Sequence, residues 1–335
     1  MAEEAKGFTW CDGERMVVFR PGALGDSPDI LREQGWDDFD LLTTPRACAT
    51  APRELQGVGP VHEVPPGPVP DAAKAIMGSC REIGIVALGG GRVIDTAKAI
   101  AAAHGGRVCA IPTTLSGAEM TRVHRLPEGH EGRALIRPAL VIADPEAMTS
   151  HPEPQLRASA MNALAHGAES LYTPFANPVA TMAALRGASL IAAALDTDRA
   201  SRDRAALALG SLLSAYSLDS ALFAFHHVLC QTLVWICGTP HAETNAAMLP
   251  HTMDAMRDRA PDAIGELAAA IGAQPAGIGE RIEELGGGRR RLEELSASRD
   301  CLPEVVRGAL ERPQLKFMPN PPGADELTAL LEAAW

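Results

Sequence analysis

Two patterns of hydrophobic and polar positions divide this chain. At residues 16–19, 39–43, 83–88, 108–111 and 139–142, apolar side chains dominate short strand-length runs. Short runs of this kind predict strands covered on both faces. Helical stretches at 71–81 and 94–103 separate some of them, and strand–helix alternation predicts a parallel sheet flanked by helices. The proline-rich stretch 65–70 reads as a surface loop between a strand and the next helix. From about Thr149 the pattern changes. Pro152 and Pro154 punctuate the chain, and long Ala/Leu-rich segments follow at 155–171, 178–195, 202–220, 223–237 and 245–257. No strand alternation interrupts them, so the second half is predicted to be all-helical. The expected fold is α/β plus all-α, with an α/β domain at 1–150 and a helical domain at 151–335.

Composition sharpens this picture. Hydrophobic residues make up 46% and aromatics only 4% of the 335 residues, which predicts closely packed helices and glycine turns. A net charge of −12 without a basic run gives no electrostatic footprint for nucleic acid. Seven cysteines occur without a CxxC pair, and the odd count leaves no closed disulfide set. Reduced cysteines in a cytoplasmic protein are the expectation. Residues 1–6 are charged and hold no apolar signal core. No apolar run approaches the roughly 18 residues that a membrane span needs.

The candidate chemistry sits in both halves. Residues 85–88 run into Gly89, Gly90 and Gly91, followed by Arg92 and Asp95 at a helix start. A strand, a glycine turn and a helix N-terminus together suit a pyrophosphate, and Arg92 can add a charged contact. The spacing is not GxGxxG. A second strand-end loop at 112–121 offers Thr113, Thr114, Ser116 and Thr121. In the helical half, Asn162 and His166 are four apart, as are His227 and Gln231, so each pair shares a helix face. His241 follows Gly-Thr-Pro. Facing helices can bring His166, His227 and His241 together, whereas His226 points about 100° away from His227.

These segments together resemble a known family. Gly-Gly-Gly-x-x-x-Asp-x-Ala-Lys at 89–98, Pro-Thr-Thr-x-x-Gly-x-Glu-x-Thr at 112–121, Asn162 to Glu169, His226 to Cys230 and Pro240 to Thr244 are similar to the iron-containing alcohol dehydrogenases. Within that family they resemble the maleylacetate reductase branch, with a dehydroquinate synthase-like fold. The resemblance implies a Rossmann-like nucleotide-binding domain, a helical substrate domain and a cleft between them. It implies reduction of a small carboxylated ketone or enone with NAD(H) or NADP(H), by a homodimer. Gly89, Gly90, Gly91, Arg92, Asp95, Thr113, Thr114, Ser116 and Thr121 would hold the nucleotide. His166, His227, Gln231 and His241 would surround the reacting carbonyl. In metal-dependent members an Asp and three His hold the ion. The matching residues here are Asn162, His166, His227 and His241, and the neutral Asn162 resembles the branch that works without metal. Fe or Zn is therefore not expected. The chain departs from the family at Arg92 and Ala118, each in place of Ser, and at Gln231 in place of His. A carboxamide cannot titrate near neutral pH, so Gln231 can orient a substrate but cannot act as a general acid. These departures leave two alternatives open: a non-redox lyase or cyclase on the same scaffold, and a non-catalytic nucleotide-binding homologue.

Overall fold

A computed structural model describes residues 8–12, 15–81, 83–295 and 297–335. The charged segment 1–6 and the side chain of Cys11 lie outside the described residues. The chain divides into two compact units, Met1–Ser150 and His151–Trp335.

The first unit is built on a seven-stranded sheet. Its strands are β1 (Phe8–Asp12), β2 (Arg15–Phe19), β3 (Phe39–Thr43), β4 (Val61–Glu63), β5 (Gly84–Gly89), β6 (Val108–Pro112) and β7 (Leu140–Ala143), in the spatial order β1-β2-β7-β6-β5-β3-β4. Only the β1–β2 pair is antiparallel. The five apolar runs are β2, β3, β5, β6 and β7. Alternate side chains feed two buried clusters: Leu42, Ile85, Ala87, Val108 and Ala110 in one, Leu41, Val86, Leu88, Cys109 and Ile111 in the other. A period of two places these sets on opposite faces, which is why the strands read as continuous hydrophobic runs. The edge strands β1 and β4 carry no such run, and the sequence pattern did not announce them.

Asp40 interrupts the apolar run of β3. Its carboxylate accepts from Arg81 Nε at 2.6 Å and from the Arg81 backbone N–H at 2.9 Å, and pairs with His62 Nε2 at 3.0 Å. Burial would raise its pKa, but the bonds from Arg81 and His62 outweigh burial and lower it. Among the described residues, Asp40, His62 and Cys80 form the group whose ligand atoms all lie within 4.8 Å of one another. Arg81 already neutralises that carboxylate, and burial pushes the Cys80 thiol up to about 11. The cluster is a structural knot that ties β3 to β4 and to the approach to β5.

The second unit is helical. Helices Glu153–Ser170, Pro178–Leu195, Arg204–Ala221, Phe225–Cys237 and His241–Met256 match the five predicted segments, and Pro261–Ala270, Ile278–Gly286, Leu302–Leu310 and Ala324–Ala334 complete the unit. Small residues set the helix spacing. A Cβ on Gly187 would lie 2.8 Å from the Gly210 carbonyl oxygen, and one on Gly210 would lie 2.9 Å from that of Gly187. Pro178–Leu195 and Arg204–Ala221 thus meet backbone to backbone, a use for the Gly- and Ala-rich composition. The same composition corrects one expectation. Pro178–Leu195, with a mean hydropathy of 1.5, is long and apolar enough to cross a membrane by length and composition. Its 56% burial within the protein shows an apolar helix used as core.

The cysteine expectation is also corrected. Cys237 and Cys301 form a disulfide, with their Cα atoms 5.9 Å apart. Their separation of 64 residues hid the pairing, because helix packing, not local spacing, brings them together. Among the described residues, Cys48, Cys80, Cys109 and Cys230 are free.

Candidate active site

In the first unit the two loops foreseen at the strand ends form one structure. The spatial order reverses between β3 and β5, a topological switch point of the kind that binds ligands in open α/β sheets. Gly89 closes β5, and its carbonyl accepts from the Thr113 backbone N–H at 3.0 Å. A Cβ on Gly90 would lie 3.0 Å from Thr114 Cγ2, and one on Gly91 would lie 3.0 Å from Ser116 Cβ. None of the three glycines has a positive φ. They are small because the neighbouring loop lies against them. Helix Gly91–His104 begins with no side-chain cap and no acid in its first turn, Arg92 there is exposed, and the buried Thr114 Oγ1 has no hydrogen-bond partner. An open helix N-terminus with an unused hydroxyl and a nearby cation fits a pyrophosphate.

Two other candidates in this unit serve its scaffold. The fully buried Lys98 Nζ donates to the carbonyls of Ala118 and Thr121 at 2.9 Å and of Val123 at 3.1 Å, and pairs with Asp95 at 2.8 Å. Asp95 and the Thr121 carbonyl are therefore engaged by Lys98, whose role sequence reasoning missed. Ser116 Oγ accepts from the Ala118 N–H at 3.4 Å.

Beside this cage Glu119 is fully buried, and neither carboxylate oxygen has a hydrogen-bond partner among the described residues. Burial raises its pKa to about 7 from an ordinary 4.5. Between those values the folded chain keeps a proton that the unfolded chain has released, so stability falls as pH rises. The expected loss is about 3 kcal/mol from below pH 4.5 to above pH 7. Glu119→Gln should flatten this dependence and make the variant the more stable protein at pH 8, as measured by denaturant unfolding at pH 4.5 and 8. An unchanged pH profile would show that Glu119 ionises normally.

In the second unit the site is built around Glu169, three residues after His166 on helix Glu153–Ser170. The turn from Leu222 (φ 61°) to Ala224 delivers the start of helix Phe225–Cys237 onto the Glu169 carboxylate. Oε1 accepts from the backbone N–H of Ala224 at 3.2 Å and of His226 at 2.7 Å, and from the Tyr172 hydroxyl at 3.1 Å. Oε2 accepts from the His227 N–H at 3.3 Å and from His227 Nδ1 at 2.5 Å. One buried carboxylate thus caps a neighbouring helix and orients its histidine. Burial raises the pKa of Glu169, and burial together with the charges of His241 and Arg312 lowers that of His227 to about 3. The proton on Nδ1 fixes the tautomer and leaves a lone pair on Nε2. That Nε2 is buried without a partner among the described residues.

His166 stacks on His227 with ring centroids 4.9 Å apart, and its Nδ1 and the Asn162 Oδ1 are also buried without partners. His226 is spoken for. Its Nε2 meets Asn245 Oδ1 at 2.8 Å and its Nδ1 meets Thr252 Oγ1 at 2.9 Å. His241 opens the next helix and is exposed to solvent, yet nearby protein atoms lower its pKa by desolvation, and its charge also depresses His166. Gln231, one turn beyond His227, accepts from Arg312 Nη2 at 2.5 Å. Tyr172 is buried and braces Glu169. Glu169 was visible only as part of a motif, although its i, i+3 spacing from His166 put it on the same helix face. Arg312 lies in the C-terminal segment, with no signal in the sequence.

The donor set does not fit a resident metal ion. Nitrogen ligands about 2.1 Å from one tetrahedral ion lie about 3.4 Å from each other. His166, His227 and His241 do not form a group within 4.8 Å among the described residues, and Asn162 brings no charge.

Comparison with known proteins agrees with this anatomy. Residues 15–145 match the iron-containing alcohol dehydrogenase model, and residues 157–335 match the C-terminal model of the Fe-containing alcohol dehydrogenase family. The chain is 36% identical to Maleylacetate reductase 1 of Rhodococcus opacus, across 100% of this chain and 98% of that protein. It is 31% identical to the maleylacetate reductase of Pseudomonas knackmussii, across 95% of each. Its structure superposes on maleylacetate reductase from Rhizobium sp. with a TM-score of 0.83 at 27% identity, covering 100% of this chain and 99% of that one. Maleylacetate reductase from Agrobacterium tumefaciens gives a TM-score of 0.83 at 28% identity, covering 98% and 97%. The strand-end loops, the Glu169-braced histidine and these matches along nearly the whole chain place it in the iron-containing alcohol dehydrogenase family.

Proposed function

We propose that this chain is an NAD(P)H-dependent reductase of a small carboxylated ketone or enone, of the maleylacetate reductase type. The observation that carries this reading is the buried Glu169–His227 pair, which leaves an imidazole nitrogen without a partner among the described residues, on a ring stacked against His166. When bound, the nicotinamide supplies a hydride. Gly89, Gly90 and Gly91, with Arg92, Thr114 and Ser116, would hold its phosphates, and the remaining candidates Asp95, Thr113 and Thr121 would shape that loop. Burial keeps the His227 ring neutral at rest, so Nε2 takes up a proton only in transit to the substrate, with Glu169 behind the ring facing the transient charge. That proton would go to the substrate oxygen of a ketone, or to the enolate carbon of an enone. His166, stacked on His227, confines that ring, and the exposed His241 can exchange protons with solvent. Gln231 orients substrate without titrating.

The reading includes a cytoplasmic homodimer that acts on a small molecule and binds no nucleic acid. The net charge of −12 and the free cysteines among the described residues support it, while the Cys237–Cys301 disulfide argues against a uniformly reducing location. The direct test is NADH and NADPH oxidation with maleylacetate, using EDTA-treated protein. Turnover without added metal is expected. Absence of turnover together with absence of nucleotide binding by calorimetry would overturn the reading.

A further inference from the structure

We infer that Arg312, steered by Gln231, is the residue that selects a carboxylated substrate. This rests on the reductase reading and names the group that recognises its substrate class. Three observations carry it. First, a guanidinium can only donate, so its 2.5 Å contact with Gln231 fixes the amide oxygen toward Arg312 and presents the amide N–H groups onward. Second, Gln231 lies four residues after His227 on one helix, and Arg312 is close enough for its charge to act on that imidazole. Third, Gln231 and Arg312 are both only partly buried, so neither is sealed in the core.

The site therefore has two chemically distinct faces. His227 Nε2, His166 Nδ1 and Asn162 Oδ1 lack partners around the proton-handling position. Arg312 and Gln231 present N–H donors one helical turn away. A carboxylate accepts from such a donor pair and gains a charge-assisted bond to the guanidinium. Gln231, the family departure that cannot donate a catalytic proton, acquires a role in holding Arg312. A histidine there would meet the guanidinium only through a ring lone pair and would offer a single N–H in return.

The test compares wild type, Arg312→Gln and Arg312→Lys. Calorimetric binding of succinate serves as a turnover-free probe. The ratio of kcat/KM for a keto acid to that for its methyl ester reports selectivity. Arg312→Gln should weaken succinate binding by about 10- to 100-fold and collapse the ratio by a similar factor, with Arg312→Lys between the two. Matching circular-dichroism melts exclude a folding defect. If Arg312→Gln binds succinate as wild type does and keeps the ratio, the inference is overturned while the reductase reading stands. If wild type binds succinate through Arg312 yet reduces no carbonyl compound, the inference stands and the reductase reading falls.

Discussion

Glu169→Gln is expected to lower kcat/KM by about 10²- to 10⁴-fold while leaving a folded protein. The amide oxygen can still accept from the Ala224 and His226 N–H groups and from Tyr172, as Oε1 does now. The helix that carries His227 therefore keeps its cap. The other end of the side chain changes from acceptor to donor. It faces His227 Nδ1, which must give up its hydrogen and become an acceptor, so the remaining hydrogen moves to Nε2. The variant presents an N–H where the wild type presents a lone pair. It also loses the carboxylate that faces any charge His227 carries in transit. The stability cost is smaller, about 1–2 kcal/mol, because one weak bond to the His227 backbone is replaced by a repulsive contact. Steady-state rates measure the first effect, and ring-nitrogen chemical shifts of His227 report the tautomer. Wild-type rates with an inverted tautomer would show that Nε2 is not the proton-handling atom. An unchanged tautomer would remove Glu169 from its role as the orienting residue.

The sequence disclosed this arrangement unevenly, for physical reasons. Periodicity exposed β2, β3, β5, β6 and β7 because a strand covered on both faces has no polar alternation. It missed β4 because the residues of that edge strand lack that cover, and β1 because its sequence carries no apolar run. The five helices of the second unit that carry or brace the site were legible from their Ala/Leu spacing, but the glycine contacts between Gly187 and Gly210 depend on tertiary crossing. His166 and His227 were legible from helical spacing combined with motif order. The separation of His226 from His227 also followed from helix geometry, and the structure gives each ring different partners. What stayed hidden was everything carried by long-range approach. Glu169 meets residues more than fifty positions away, Arg312 reaches Gln231 across 81, and Lys98 grips a loop 20 to 25 residues on. The glycine loop was read as making room for a ligand. In the structure its glycines also make room for Thr114 and Ser116, so the two cofactor candidates are one packed unit.

Breaking the Cys237–Cys301 disulfide is expected to destabilise the helical unit by about 2–4 kcal/mol and to lower its melting temperature by roughly 5–15 °C. The bond closes a loop spanning a sequence separation of 64 residues, and releasing that constraint restores chain entropy to the unfolded state. Its position gives the loss a functional side. Cys237 ends the helix that begins at Phe225 and carries His227 and Gln231, and Cys301 directly precedes helix Leu302–Leu310. Gly308 packs near Thr232 and Ile236, where an added Cβ would come within 3.2 Å and 3.3 Å, so the two helices touch along their length. Arg312 follows two residues after that helix. Reduction therefore loosens the segment that carries Arg312 relative to Gln231, while Glu169 and its contacts lie at the opposite end of the His227 helix. The Cys237→Ser/Cys301→Ser variant should lose more in KM for a keto acid than in kcat, and dithiothreitol should reproduce the effect in wild type. Thermal melts with and without reductant, together with mass-spectrometric thiol counting, check both halves. Identical melts in the two conditions would mean that helix packing alone holds this junction. A kcat loss as large as the KM change would mean that the clamp reaches the proton-handling pair as well as the carboxylate-binding one.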